Sequence, residues 1–288
     1  MRGSIHKFEN YARCPQKYYF RHGLKLVPKH IDVPLRVGRA VHKFLETFAA
    51  NQSKPFDTKM TVAQSAMIGD LKSTMPEVSV NSIEEKLVKQ CTRLVSGYVR
   101  KYGEADEVQI FEPEVEDEVD LPGGHKLVFR VDAPVSFQGR LWIVDHKTTA
   151  QPIGRIIKFY EMNHQLIAYA YAVAKKTGQE VAGAIVNILK RESDREAMDF
   201  HREYIPISKR HMANTVMSLS NVFTDIESRS LSDRNQWPLY THSCFSPAKC
   251  WYYRICHGGE AAEPGAIFRL DERKVEDRNE PTSGSDEG

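Results

Sequence analysis

Arg130-Val131-Asp132 and, thirteen residues on, Asp145-His146-Lys147-Thr148 decide the fold of this chain, with Gln165-Leu166-Ile167-Ala168-Tyr169 behind them. Leu127 to Val131 alternates apolar and polar residues, and Leu141-Trp142-Ile143-Val144 is a short continuous apolar run. A period-2 segment and a bounded apolar run predict neighbouring strands, the second more buried. Each ends in an aspartate. Asp145 and Lys147, two positions apart, share one face of their strand. Paired carboxylates collect a hard divalent cation, and an adjacent ammonium steadies a hydroxide or the charge that builds on a phosphate. These residues are equipment for metal-assisted phosphodiester hydrolysis.

Working outward, Val37, Val41, Phe44, Leu45 and Phe48 form one apolar stripe and predict a helix over 35–50. Gly38, His42 and Glu46 lie on another face of it at a spacing of four. Residues 51–110 read as mainly helical. Strands are predicted near 112–121, 126–135 and 140–148, with turns at Gly123-Gly124 and Gln138-Gly139. A helix over 160–177 ends at Gly178, Val181 to Leu189 reads as a buried strand, 200–207 as a further strand, and 208–229 as a helix. The order is αβββαβ with additions: an α/β core with a mixed central sheet flanked by helices.

The 288 residues suffice for a sizeable core. The net charge of +2 is unevenly spread. Residues 271–288 hold seven acidic and three basic side chains, about −4, which leaves about +6 on the body. A mildly basic body permits nucleic-acid binding. The acidic tail, 269–288, reads as disordered. The first residues have no signal-peptide pattern, and no apolar run is long enough to span a membrane. The expected location is the cytoplasm of a bacterium or phage-infected cell, where five cysteines are thiols or ligands rather than disulfides. No G-x4-G-K-[ST] phosphate loop is present, so no helicase motor is expected here.

Gly38-x3-His42-x3-Glu46, Asp132, Asp145-x-Lys147 and Gln165-x3-Tyr169 resemble the RecB-like branch of the PD-(D/E)XK nuclease superfamily, in the family's order, over roughly residues 1–260. Val131 stands where the superfamily's name has proline. The resemblance implies that His42, Asp132, Asp145 and the main-chain carbonyl of His146 bind Mg²⁺ or Mn²⁺. It implies that Lys147 orients or activates the attacking water, and that Gln165 and Tyr169 lie against the active site and the DNA. Glu46 is expected behind the ligands.

Many members of this branch hold a [4Fe–4S] cluster on one N-terminal and three C-terminal cysteines. Here Cys14 and Cys244-x5-Cys250-x5-Cys256 match that plan, with a wider first gap than the family's commoner x2. The same thiols suit zinc or no metal at all. Cys91, among Leu87, Leu94 and Val95, reads as a small buried hydrophobe. The basic and aromatic run from Arg13 to Lys29 offers Lys17 and Arg21 to DNA, with Tyr18 or Tyr19 in the core.

The expected organisation is a nuclease core over 1–234 with a helical insertion at about 51–110. A Cys module at 235–268 would pack on the N-terminus. The expected function is a metal-dependent DNA exonuclease or end-processing nuclease, compatible with a homo-oligomer. The alternative is a DNA-binding assembly subunit of a recombination or CRISPR-adaptation complex, with little activity alone.

Overall fold

The run Val181–Lys190 is buried at all ten positions. It lies inside a sheet in a computed structural model that describes residues 1–29, 33–73, 81–103, 106–192, 197–245, 249–258 and 268–270. In chain order the elements begin with β1 (Arg2–Ser4), α1 (Ile5–Arg13), α2 (Pro15–Tyr18), a π-helical turn at Tyr19–Gly23 and β2 (Leu26–Pro28). Helices α3 (Val33–Ala50), α4 (Phe56–Ser73) and α5 (Asn81–Tyr102) follow. Next come β3 (Gln109–Ile110), β4 (Val115–Leu121), β5 (His125–Val131), β6 (Ala133–Phe137) and β7 (Arg140–Thr149). After α6 (Ile153–Tyr160) and α7 (His164–Thr177) come β8 (Val181–Lys190), β9 (Asp199–Pro206) and α8 (Lys209–Glu227). The described chain ends with α9 (Tyr253–Cys256) and β10 (Phe268–Leu270).

The chain divides into two compact units, one of residues 1–5 and 31–220, the other of 6–30 and 221–288. The first holds a five-stranded sheet in the order β3-β6-β7-β8-β9, in which only β7 and β8 are parallel. A parallel pair needs a crossover, and α6 and α7 supply it. Beside it stands a three-stranded sheet, β1-β5-β4. The mixed sheet flanked by helices is the expected α/β core. Gly183 is required where β8 meets β9: a Cβ there would stand 2.2 Å from the Ile205 carbonyl oxygen and 2.6 Å from the Trp142 ring.

The apolar stripe of α3, including Val37, Val41 and Phe44, packs with Met67 and Leu71 of α4 and Leu94 and Val95 of α5. Each such fully buried side chain contributes about 1.5–3 kcal/mol of transfer free energy. Cys91 is fully buried in this cluster, as its neighbours in sequence predict. Asn163 caps α7 by accepting from the Gln165 and Leu166 amides, and Gly178 ends it at φ +69°.

Two predicted elements differ from expectation. The strand expected over 126–135 breaks at Asp132: β5 pairs with β4 and β1, whereas β6 pairs with β3 and β7. Alternation reports which face a residue takes, not which sheet it joins. The helix expected over 160–177 begins later, at His164, because the Asn163 side chain takes the amides of the first turn, and the short helix α6 that precedes it has no counterpart in the sequence reading.

In the second unit, β2 and β10 pair antiparallel. Trp237 stacks on Tyr18 at 5.5 Å, and Tyr252 lies between Phe20 at 5.4 Å and Phe268 at 5.1 Å. The acidic stretch from 271 onward falls outside the described residues.

Candidate active site

Asp132 lies where the chain passes from one sheet to the other. Its Oδ2 accepts from the His146 amide at 2.7 Å, and its Oδ1 lies 3.3 Å from His42 Nδ1. His42 Nε2 in turn donates to the His146 carbonyl oxygen at 2.7 Å. Helix α3 can come this near β7 because Gly38, one turn before His42, has no side chain: a Cβ there would meet Thr148 Oγ1 at 3.3 Å. Burial works against a charged imidazole at His42, but the hydrogen bond and charge of Asp132, and the charge of Asp145, outweigh it and raise its pKa. At Asp132 burial acts upward, and the bond and charge of His42 overcome it to hold the carboxyl below its ordinary range.

Asp145 is buried, and Lys147 Nζ stands 3.0 Å from its Oδ1 and 2.9 Å from its Oδ2. The Asp145 pKa is raised, chiefly by burial and also by Asp132, while Lys147 opposes the rise. Lys147 itself is held protonated: desolvation lowers its pKa, but the charge of Asp145 raises it further. The ammonium also donates to Gln165 Oε1 at 3.2 Å, and Gln165 Nε2 donates to Tyr169 Oη at 3.3 Å. The predicted one-turn spacing of Gln165 and Tyr169 is thus a contact, and it ends on the lysine. Gln165 and Tyr169 also lie one turn apart on the helix that begins at the Asn163 cap.

One residue in this site has no counterpart in the sequence reading. Among the described residues, the group whose ligand atoms lie within 4.8 Å of one another is His42, Glu114 and Asp132. Glu114 takes φ +56°, its amide donates to the Asp132 carbonyl at 2.7 Å, and its carboxylate is ion-paired with Arg130. Glu112-Pro113-Glu114 has no motif spacing, and only the left-handed turn swings Glu114 into place. Glu46, on the same face of α3 as His42, pairs with Lys43 at 2.9 Å.

Behind the site, a buried polar network fixes the His146 ring. Asn187 Nδ2 donates to His146 Nδ1 at 3.2 Å and to Tyr98 Oη at 2.9 Å. Arg202 donates to Asn187 Oδ1 at 2.7 Å, to Tyr98 Oη at 3.1 Å and to both carboxylate oxygens of Asp106. Burial pushes the His146 pKa down to about 4, so the ring is neutral.

Carboxylate oxygens, a main-chain carbonyl and one imidazole are a donor set for a hard divalent cation. The raised pKa of Asp145 has the same sense: two carboxylates share a buried site, and a cation would relieve both burial and repulsion.

Lys17 and Arg21 belong to the second unit, on α2 and the following turn, with Tyr18 and Tyr19 both buried. Cys14, Cys244, Cys250 and Cys256 are all in that unit. Cys14 Sγ accepts from the Tyr240 amide at 3.5 Å, and Cys256 Sγ donates to Gln16 Oε1 at 3.4 Å. Burial pushes the Cys256 thiol up to about 11, and Cys14, Cys250 and Cys244 add to the rise, which places four thiols in one neighbourhood. Among the described residues their sulfurs do not form a group as tight as that of His42, Glu114 and Asp132.

Fold and site together define a metal-dependent nuclease. The sequence profile of the PD-(D/E)XK nuclease superfamily matches residues 2–257, and the chain belongs to that superfamily. Among solved structures, SSO0001 is similar at 16% identity and a TM-score of 0.33, covering 86% of this chain and 98% of its own. The alkaline exonuclease LHK-Exo from Laribacter hongkongensis is similar at 13% identity and a TM-score of 0.27, over 65% of this chain and 90% of its own. No curated protein sequence matches the chain. No helix among the described residues is long and apolar enough to cross a membrane.

Proposed function

We propose that this protein is a DNA exonuclease or end-processing nuclease of the RecB-like branch. The observation that carries the proposal is the convergence of Asp132, His42 and the His146 main chain beside the Asp145–Lys147 pair. His42, Asp132, Asp145 and the His146 carbonyl would hold Mg²⁺ or Mn²⁺, with Glu114 completing the set. Such an ion, when bound, supplies Lewis acidity at the phosphate and lowers the pKa of water.

The chain's own residues do the rest. Lys147 remains an ammonium, so it acts as a fixed cation rather than a base. It orients the attacking water and steadies charge growing on the phosphate oxygens. Asp145 keeps the ammonium aimed, and Gln165, braced by Tyr169, limits its swing. In the second unit, Cys14, Cys244, Cys250 and Cys256 would hold a [4Fe–4S] cluster, and Lys17 and Arg21 would contact DNA phosphates.

The test is digestion of 5′- and 3′-labelled single- and double-stranded DNA in Mg²⁺, Mn²⁺, Ca²⁺ and EDTA. Hydrolysis from ends in Mg²⁺ or Mn²⁺, abolished by EDTA and by Asp145→Ala, is expected. DNA binding without hydrolysis in any metal would replace the proposal with an assembly-subunit role.

A further inference from the structure

Helix α6, Ile153–Tyr160, has no buried residue. Phe159 and Met162, at its end and just beyond, are 62% and 68% exposed. A lone exposed apolar residue is ordinary, but two large ones beside a reaction centre form a patch with a purpose to be explained. The patch is joined to the site by contact. Lys147 Nζ lies 5.7 Å from the centre of the Tyr160 ring, and the Phe159 ring stands edge-on to Tyr160 at 5.3 Å and 87°. A line of side chains thus runs from the lysine through one aromatic ring to a second that faces solvent.

Its charge is one-sided. Between residues 151 and 164 the basic side chains are Arg155, Lys158 and His164, and Glu161 is the single acid. Arg155 is steadied by Gln151 at 3.5 Å, and Lys158 is exposed, with no ion pair among the described residues. Cations beside an exposed aromatic face match a polymer that alternates phosphates with flat apolar rings.

We infer that α6 is a stacking rest for an unpaired nucleic-acid strand: Phe159 and Met162 receive bases while Arg155 and Lys158 receive the phosphates that lead to Lys147. Only an unpaired strand fits, because bases in a duplex already spend their faces on each other. The inference rests on the nuclease proposal for its direction and goes beyond it by naming the substrate state. A protein partner for the same patch is the competing outcome.

The experiment uses the full chain in Ca²⁺, with three labelled probes: a single-stranded oligonucleotide, its abasic counterpart and the matching duplex. Phe159→Ala should weaken binding of the single strand by about tenfold, within the range for losing one base–aromatic stack. It should leave the abasic probe and the duplex within about twofold, and Phe159→Trp should bind the single strand like the parent. Because the side chain is exposed, melting should be unchanged. Equal losses on all three probes, or no loss on any, would overturn the inference. Cleavage by the parent protein in Mg²⁺ is scored separately. Intact cleavage with no base-dependent loss sinks the stacking rest alone. Base-dependent binding without cleavage sinks the nuclease proposal alone.

Discussion

His42 Nε2 donates to the carbonyl oxygen of His146 at 2.7 Å, across 104 positions of sequence. The bond ties α3 to the strand that carries Asp145 and Lys147. His42 therefore faces an acceptor on each nitrogen, the His146 carbonyl and the Asp132 carboxylate.

Replacing His42 with alanine should weaken metal use more than DNA binding, because the proposed site loses a ligand and no phosphate contact. Half-maximal Mn²⁺ should rise by about tenfold or more, with partial recovery of rate at high Mn²⁺. Mn²⁺ titration followed by electron spin resonance reads the affinity without reference to turnover. An unchanged titration would reduce His42 to a helix-surface residue.

Lys147→Ala should lower the cleavage rate about 10²–10³-fold while DNA affinity is kept, the scale for losing one preorganised charge donor. It also strips a buried carboxylate of its partner, which costs about 3–5 kcal/mol for an uncompensated buried charge. Asp145→Asn alongside Lys147→Ala should recover much of that stability and none of the rate. Chemical denaturation and single-turnover cleavage separate the two effects. Near-normal cleavage by Lys147→Ala would remove its assigned role.

Among the described residues Arg202 touches nothing at the reaction centre, yet it holds Asn187, which holds His146. Arg202→Lys should behave like Arg202→Met, since an ammonium cannot fork to both oxygens of Asp106 while reaching Asn187. Both should lower metal affinity by about 10–100-fold, as loss of an outer partner does elsewhere. Metal affinity preserved in both variants would confine Arg202 to a structural role.

The His146 ring, depressed from 6.5 to about 4, gives stability a definite pH dependence. Above the unfolded value both states are neutral and the ring contributes nothing that varies. Between about 6.5 and 4 the unfolded chain binds a proton that the folded chain refuses, so stability falls with pH, by about 3 kcal/mol in all. His146→Gln should lose about 2.5 kcal/mol less between pH 7.5 and 4.5 in urea melts. Parallel curves for parent and variant would mean that the ring is not held neutral.

Anaerobically purified protein should carry about four irons per chain and absorb broadly in the visible. Cys250→Ser should lose the iron, whereas Cys91→Ser, buried among apolar side chains, should keep it. Iron-free anaerobic protein that tolerates Cys250→Ser would leave the cysteines as packing around Tyr252.

The sequence by itself determined the frame of the fold and named most of the residues that the fold brings together at the candidate site. Periodicity places α3 and β7, and the run Val181–Leu189 has the composition of a strand buried on both faces. Asp145, Lys147, Gln165 and Tyr169 are legible because strand and helix periods turn short spacings into shared faces. The tertiary structure alone decided what spacing cannot encode. Asp132 sits at a change of sheet, because a strand's choice of partner depends on chain segments far away. Glu114 reaches His42 and Asp132 through one left-handed residue and an ion pair with Arg130. The support of His146 by Asn187, Tyr98 and Arg202 joins residues up to 104 positions apart. Local sequence fixes which face a side chain takes, and only the closed core fixes what stands opposite it.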